Sequence, residues 1–281
     1  MFSKLLRYVF QLILLSLPFV IPPISLQDDS GMLLTAISLL FAILVGFFIA
    51  TTTSNYLRLQ TLIADANAGL ISIFSLIKGI DPQKLPEVAQ AIDDYMIASL
   101  DYELLDYTDK TKKEFNRVLE VANSAEPQGE KGLALFSELH SRMDDLLTND
   151  QEIALTSKRI VTPRHWFIII LLAILLGVSL LSFRTGSVVI SLFIGVMFVT
   201  IYHIMVLIHE IDTNMFLSKQ LSFEDPQQVF YGIGRPNYYP EYALKKGYAK
   251  PSSTTYRVGI YKNYPKSFEK KEIKLIKPSS L

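Results

Sequence analysis

Apolar positions gather into four long runs, roughly 5–24, 32–51, 165–183 and 187–209, while charged residues keep to their ends and to the chain between them. Each run approaches the ~20 apolar residues that carry a helix across a bilayer core. Four transmembrane helices are therefore predicted. Between the second and third runs the pattern changes. Val88, Ile92, Tyr95, Met96, Ser99 and Leu100 recur at helical spacing, as do Phe136, Leu139, Met143, Leu146, Leu147 and Ile153, with charges on the other faces. Asp81-Pro82 reads as a helix break and restart, because aspartate caps and proline suits the first helical position. Pro127-Gln128-Gly129 with Gly132 marks a second turn, and Thr162-Pro163 opens the third run. No proline lies between Thr51 and Ile80, and Leu59, Leu62, Ile63, Leu70, Phe74 and Ile77 extend the stripe of the second run. One unbroken helix from about Met32 to about Gly79 is the expectation.

After Glu210 the chain turns Tyr-rich and irregular through Arg235-Pro236-Asn237-Tyr238-Tyr239-Pro240. Tyr256, Val258 and Ile260 then alternate with Arg257, Gly259 and Tyr261, a strand-like period that Glu272-Ile273-Lys274-Leu275 answers across Asn263-Tyr264-Pro265. The predicted fold is all-α and membrane-integral, with four spans, a helical region and a small irregular or β-hairpin tail. Its expected divisions are 1–51, 52–164, 165–209 and 210–281.

Composition agrees with a membrane chain. Half of the 281 residues are hydrophobic and the mean hydropathy is +0.30. A formal net charge of +0 removes the basic face that nucleic-acid binding needs. With no cysteine there is no disulfide framework, thiolate nucleophile or iron–sulfur ligand set. Lys4 and Arg7 precede the first run as in a secretory signal, but Phe19-Val20-Ile21-Pro22-Pro23 offers no small-residue cleavage site, so a retained span kinked at Pro18 is expected. The loop 24–31 carries Asp28 and Asp29 without Lys or Arg, and only Arg184-Thr185-Gly186 separates the last two runs. Lys4, Arg7, Arg58, Lys158, Arg159, Arg164 and Lys219 flank the opposite ends. The positive-inside rule then predicts a multi-pass protein of the plasma membrane with both termini and residues 52–164 cytoplasmic.

Leu39, Ile43 and Phe47 stand four apart and form one narrow stripe on the second helix. Such stripes from several subunits would build an apolar constriction that gates by wetting, although a lipid-facing or core stripe has the same spacing. Ala42, Gly46 and Ala50 give a small-xxx-small pattern suited to close helix packing, echoed by Ser187, Ser191 and Gly195. His203 lies within the fourth run and His209 at its inner end, followed by Glu210 and Asp212. Ionisable groups at such depth are candidate ion-contacting or regulatory residues. His209-Glu210 lacks the second histidine of a zinc protease helix, and no phosphate-binding loop or nucleophile elbow occurs. No catalytic residue, cofactor or metal site is expected, and an enzyme is not the reading.

Val45-Gly46-Phe47-Phe48-Ile49, followed by Asn55-Tyr56, resembles the neck segment of bestrophins. Glu210-Ile211-Asp212 with Phe216 is similar to the acidic segment after their last span. Tyr56 with Ala64-Asp65-Ala66 and Leu70 looks like a bestrophin-like branch of prokaryotic membrane proteins. The resemblance implies a homo-oligomer, a pentamer in that family, conducting small ions and by analogy anions through a neck of Leu39, Ile43 and Phe47. It departs where Thr213-Asn214-Met215 replaces the family's proline and where the acidic calcium cluster is not reproduced, leaving Glu210, Asp212, Glu224 and Asp225 as scattered oxygen ligands. A non-conducting scaffold or signalling protein that binds a partner through its cytoplasmic helices is the alternative. A secondary transporter fits less well, since four spans offer few inverted repeats.

Overall fold

The computed structural model describes residues 2–22, 30–101, 107–213, 223–251, 255–262 and 271–277. Helices α1 (Phe2–Val20), α2 (Ser30–Ile80), α3 (Leu85–Asp101), α4 (Tyr107–Asn123), α5 (Gly129–Thr156), α6 (Pro163–Ser182) and α7 (Val188–Asp212) come first. They are followed by α8 (Asp225–Gly232), β1 (Asn237–Pro240), α9 (Glu241–Lys245), β2 (Tyr256–Tyr261) and β3 (Lys271–Ile276). The chain divides into two compact units, one of residues 1–55 with 159–213 and one of residues 56–158 with 214–281. The tail after 213 thus shares a unit with the central helices. The loop 24–29, Lys219, Phe216 and the turn Asn263-Tyr264-Pro265 lie outside the described residues.

In the first unit, α2, α6 and α7 are long and apolar enough to cross a membrane. The first of the four expected spans is shorter, with an apolar stretch of Leu5–Val20. Its Pro18 is buried and the helix ends at Val20, two residues later, where the Arg184 guanidinium donates to the carbonyls of Phe19 and Ile21. Those carbonyls lie where a helix end has no partners of its own. One core joins Ile37, Phe41, Val45 and Phe48 of α2 to Ile169 and Leu176 of α6 and Ile201 and Ile208 of α7. A second joins Ile194 and Phe198 of α7 to Leu14 and Leu17 of α1. A Cβ on Gly195 would come within 2.5 Å of the Leu15 carbonyl oxygen, so only glycine admits this approach of α1 to α7.

Helix α2 runs 51 residues without a break, close to the span expected from the absence of proline. Its Thr51-Thr52 step does not interrupt it because both hydroxyls bond back to the carbonyls four residues earlier, Phe47 at 2.8 Å and Phe48 at 2.7 Å. In the second unit the distal part of α2 buries Leu59, Leu70, Ile73 and Ile77 against Val88, Ile92 and Met96 of α3, Val118 of α4 and Leu139, Leu146 and Ile153 of α5. Asp81 caps the turn at Pro82–Lys84, accepting from the Gln83 amide at 3.2 Å. The tail holds more order than its irregular composition suggests. β2 and β3 pair antiparallel, as the alternation predicted, but β1 adds a parallel strand through Tyr238 and Tyr239. The Gln227 side-chain amide bonds both the N–H (2.9 Å) and the C=O (3.0 Å) of Tyr238, doing for β1 what a neighbouring strand would do.

Candidate pore helix and its inner mouth

Within α2 the two faces differ sharply. Phe41, Val45, Phe48 and Thr52 are buried, whereas Leu39, Ile43 and Phe47 are 59%, 62% and 61% exposed in the single chain. Spacing alone does not isolate that stripe, since Leu40 shares the open side. Ala42, Gly46 and Ala50 are also exposed, and a Cβ on Gly46 would meet no described atom within 4 Å. None of the three is buried within one chain. Ser191 and Gly195, by contrast, are buried, Gly195 against α1.

The acidic and histidine candidates fall into separate roles. His203 is exposed beside Tyr202, whose ring meets that of Phe10 at a tilt, 5.1 Å away. His209 sets its ring edge-on to Trp166 at 6.0 Å. Glu210 forms an ion pair with Arg7 at 3.3 Å and so ties the start of α1 to the end of α7. Asp212 is buried, and its Oδ1 accepts from the backbone N–H groups of Ile160 (2.8 Å) and Val161 (2.9 Å). Its carboxylate is spent on the backbone just before α6. Among the described residues no cluster of three or more His, Asp or Glu could hold a metal ion.

Sequence reasoning placed the start of α6 at Thr162-Pro163 but passed over His165. Thr162 caps the helix with Pro163 at its first position, its Oγ1 accepts from the His165 N–H at 3.4 Å, and His165 Nδ1 accepts from the Thr162 N–H at 3.3 Å. The His165 ring lies 5.0 Å from that of Phe48, which meets the Phe47 ring edge-on at 5.6 Å. A histidine three residues past a capping threonine was the available signal.

A model of the bestrophin-like domain matches residues 6–214, most of the chain. The chain belongs to the bestrophin-like family. Two crystal structures of a membrane protein, each with a single substitution to alanine, share this fold at TM-scores of 0.54 and 0.56, with 14% identity in each case. They cover 84% and 82% of this chain, which in turn covers 98% of each of theirs. Among curated proteins none matches this sequence. The match spans the exposed α2 stripe and helices α6 and α7, and ends before the β-strand tail.

That tail is anchored by buried charge. Arg257 forks onto Asp93 at 2.7 and 2.6 Å, and Lys271 reaches Asp101 at 2.8 Å, where Tyr238 also donates at 2.7 Å. Burial raises the Asp101 carboxyl above the usual carboxylate range, with Lys271 opposing. Burial likewise drives the Tyr238 phenol far up, so it stays a donor.

Proposed function

We propose that this bestrophin-like chain assembles into a ring of identical subunits, a pentamer by family analogy, and passively conducts small ions through a pore lined by α2. Leu39, Ile43 and Phe47 form its apolar neck. The observation that carries the reading is the bare face of α2: one side is built into the unit's core while the stripe of three large apolar side chains stays open. Ala42, Gly46 and Ala50 beside it then serve close contact between copies. Residues 30–55 of α2 carry no charged side chain, so the neck discriminates by dehydration rather than by sign, and the lean towards anions rests on the family alone. The ring sits in the plasma membrane with both termini inside, and the second unit forms its cytoplasmic portion.

Ion flux into liposomes tests the neck. An ion crossing a dry apolar ring sheds water without replacement, at a cost of several kcal/mol. Replacing Leu39, Ile43 and Phe47 together with Ala removes that barrier and should raise flux several-fold. Phe167→Ala and Phe193→Ala, at residues equally exposed on α6 and α7, should leave it near the native level. Flux absent from native and triple-Ala protein alike, in folded oligomer, would refute conduction and favour a scaffold that binds a partner through its helices.

A further inference from the structure

The start of α6 is joined to the neck by three rings in series, His165 on Phe48 and Phe48 on Phe47. The first of these is fixed by a hydrogen bond that depends on its protonation state. To accept from the Thr162 N–H, Nδ1 must offer its lone pair, so the neutral ring carries its proton on Nε2. Phe48, in turn, is buried between α2 and α6, whereas Phe47 is open on the far side. We propose that His165 is a positioning residue for the neck: its capped neutral ring braces Phe48, and through it Phe47, and protonation releases the brace so that the neck loosens in acid. This rests on the α2 pore reading above.

Protonation acts through two effects of the same sign. In the imidazolium both nitrogens are donors, so the Nδ1 acceptor is lost and two N–H groups face each other across the cap. The new positive charge also stands in the first turn of a helix, where the macrodipole is itself positive. Both drive the ring out of the cap. The charged and titratable groups on the surrounding elements do not offset this. Arg164 follows the cap on α6 and Arg159 precedes it; α2 contributes no ionisable residue between 30 and 55. From α7 come His209, Glu210 and Asp212, of which Asp212 is bound to the Ile160 and Val161 amides and Glu210 to Arg7 of α1.

The test is the pH profile of flux in liposomes from about pH 8 to about pH 5, the range in which histidine titrates. Native flux should rise several-fold with acid. In His165→Gln the amide oxygen can still accept from the Thr162 N–H but does not titrate. In His165→Phe a ring still faces Phe48. Each variant removes one half of the brace, the ring or the cap, so both should give profiles that are flat and near the native acid level, whereas a merely structural role would lower flux without changing the slope. A flat native profile, a slope kept in His165→Gln, or a slope lost in His203→Gln or His209→Gln overturns the proposal. A protein with no flux at any pH refutes the pore reading instead, and the brace is then read from Trp166, the chain's single tryptophan. The readout uses a His209→Gln background, because the His209 ring lies 6.0 Å from the indole. Emission that shifts with acid there, and not in the His165→Gln double variant, supports release of the cap. No shift overturns it.

Discussion

Asp212 shows how a residue can be singled out by its place in the sequence while its partners stay hidden. Its place after an apolar run suggested an acid facing ions, yet its oxygen holds two backbone amides of the segment entering α6. No local pattern reports a partner about fifty residues away, so the bonds were invisible to spacing. Asp212→Ala strands both N–H groups, one of them buried, and should cost about 2–4 kcal/mol, while Asp212→Asn keeps the acceptor oxygen and should cost about 1 kcal/mol. Thermal unfolding in detergent measures the difference; equal losses would mean that charge, not acceptance, is what Ile160 and Val161 require. His165 is the complementary case. Its distance from Thr162 was countable in the sequence, but capping boxes are read from Glu or Gln, and the histidine went unnoticed.

Elements were more legible than residues because periodicity averages over many positions. The long α2, the Asp81 and Thr162 caps and the β2–β3 pairing all follow from patterns within a few residues. β1 does not: its four residues include Asn237 and Pro240, poor strand formers, and it is completed by the distant amide of Gln227. The two small-residue patterns looked alike in sequence and differ in space. Gly195→Val would drive its side chain into the α1 backbone at Leu15 and should cost about 1–3 kcal/mol, seen as loss of folded, monodisperse protein. Gly46→Ala meets nothing described within the chain and should leave monomer folding unchanged. If Gly46→Ala instead unfolds the chain as Gly195→Val does, the open face assigned to α2 is wrong.

At the scale of the molecule, charge read onto the packing of the first unit supports the proposed orientation. Arg7 meets Glu210 at one end of α1 and α7, and the Asp212 bonds bring the chain just after Arg159 to that same end. Arg184 sits at the other end, its guanidinium occupied by the carbonyls that close α1. Arg7, Arg159 and Arg164 thus gather on one side, and the basic residue opposite them is already engaged. A cluster of basic groups resists translocation, which supports the cytoplasmic placement proposed for that side. Gly129, exposed at the start of α5, offers a site where a reporter disturbs no packing, since no described atom lies within 4 Å of where its Cβ would stand. In a bacterial host a fluorescent protein placed there should fold and emit, and alkaline phosphatase should stay inactive, whereas at Thr185 the two responses should exchange. Active phosphatase at Gly129 would invert the protein and place the central helices outside.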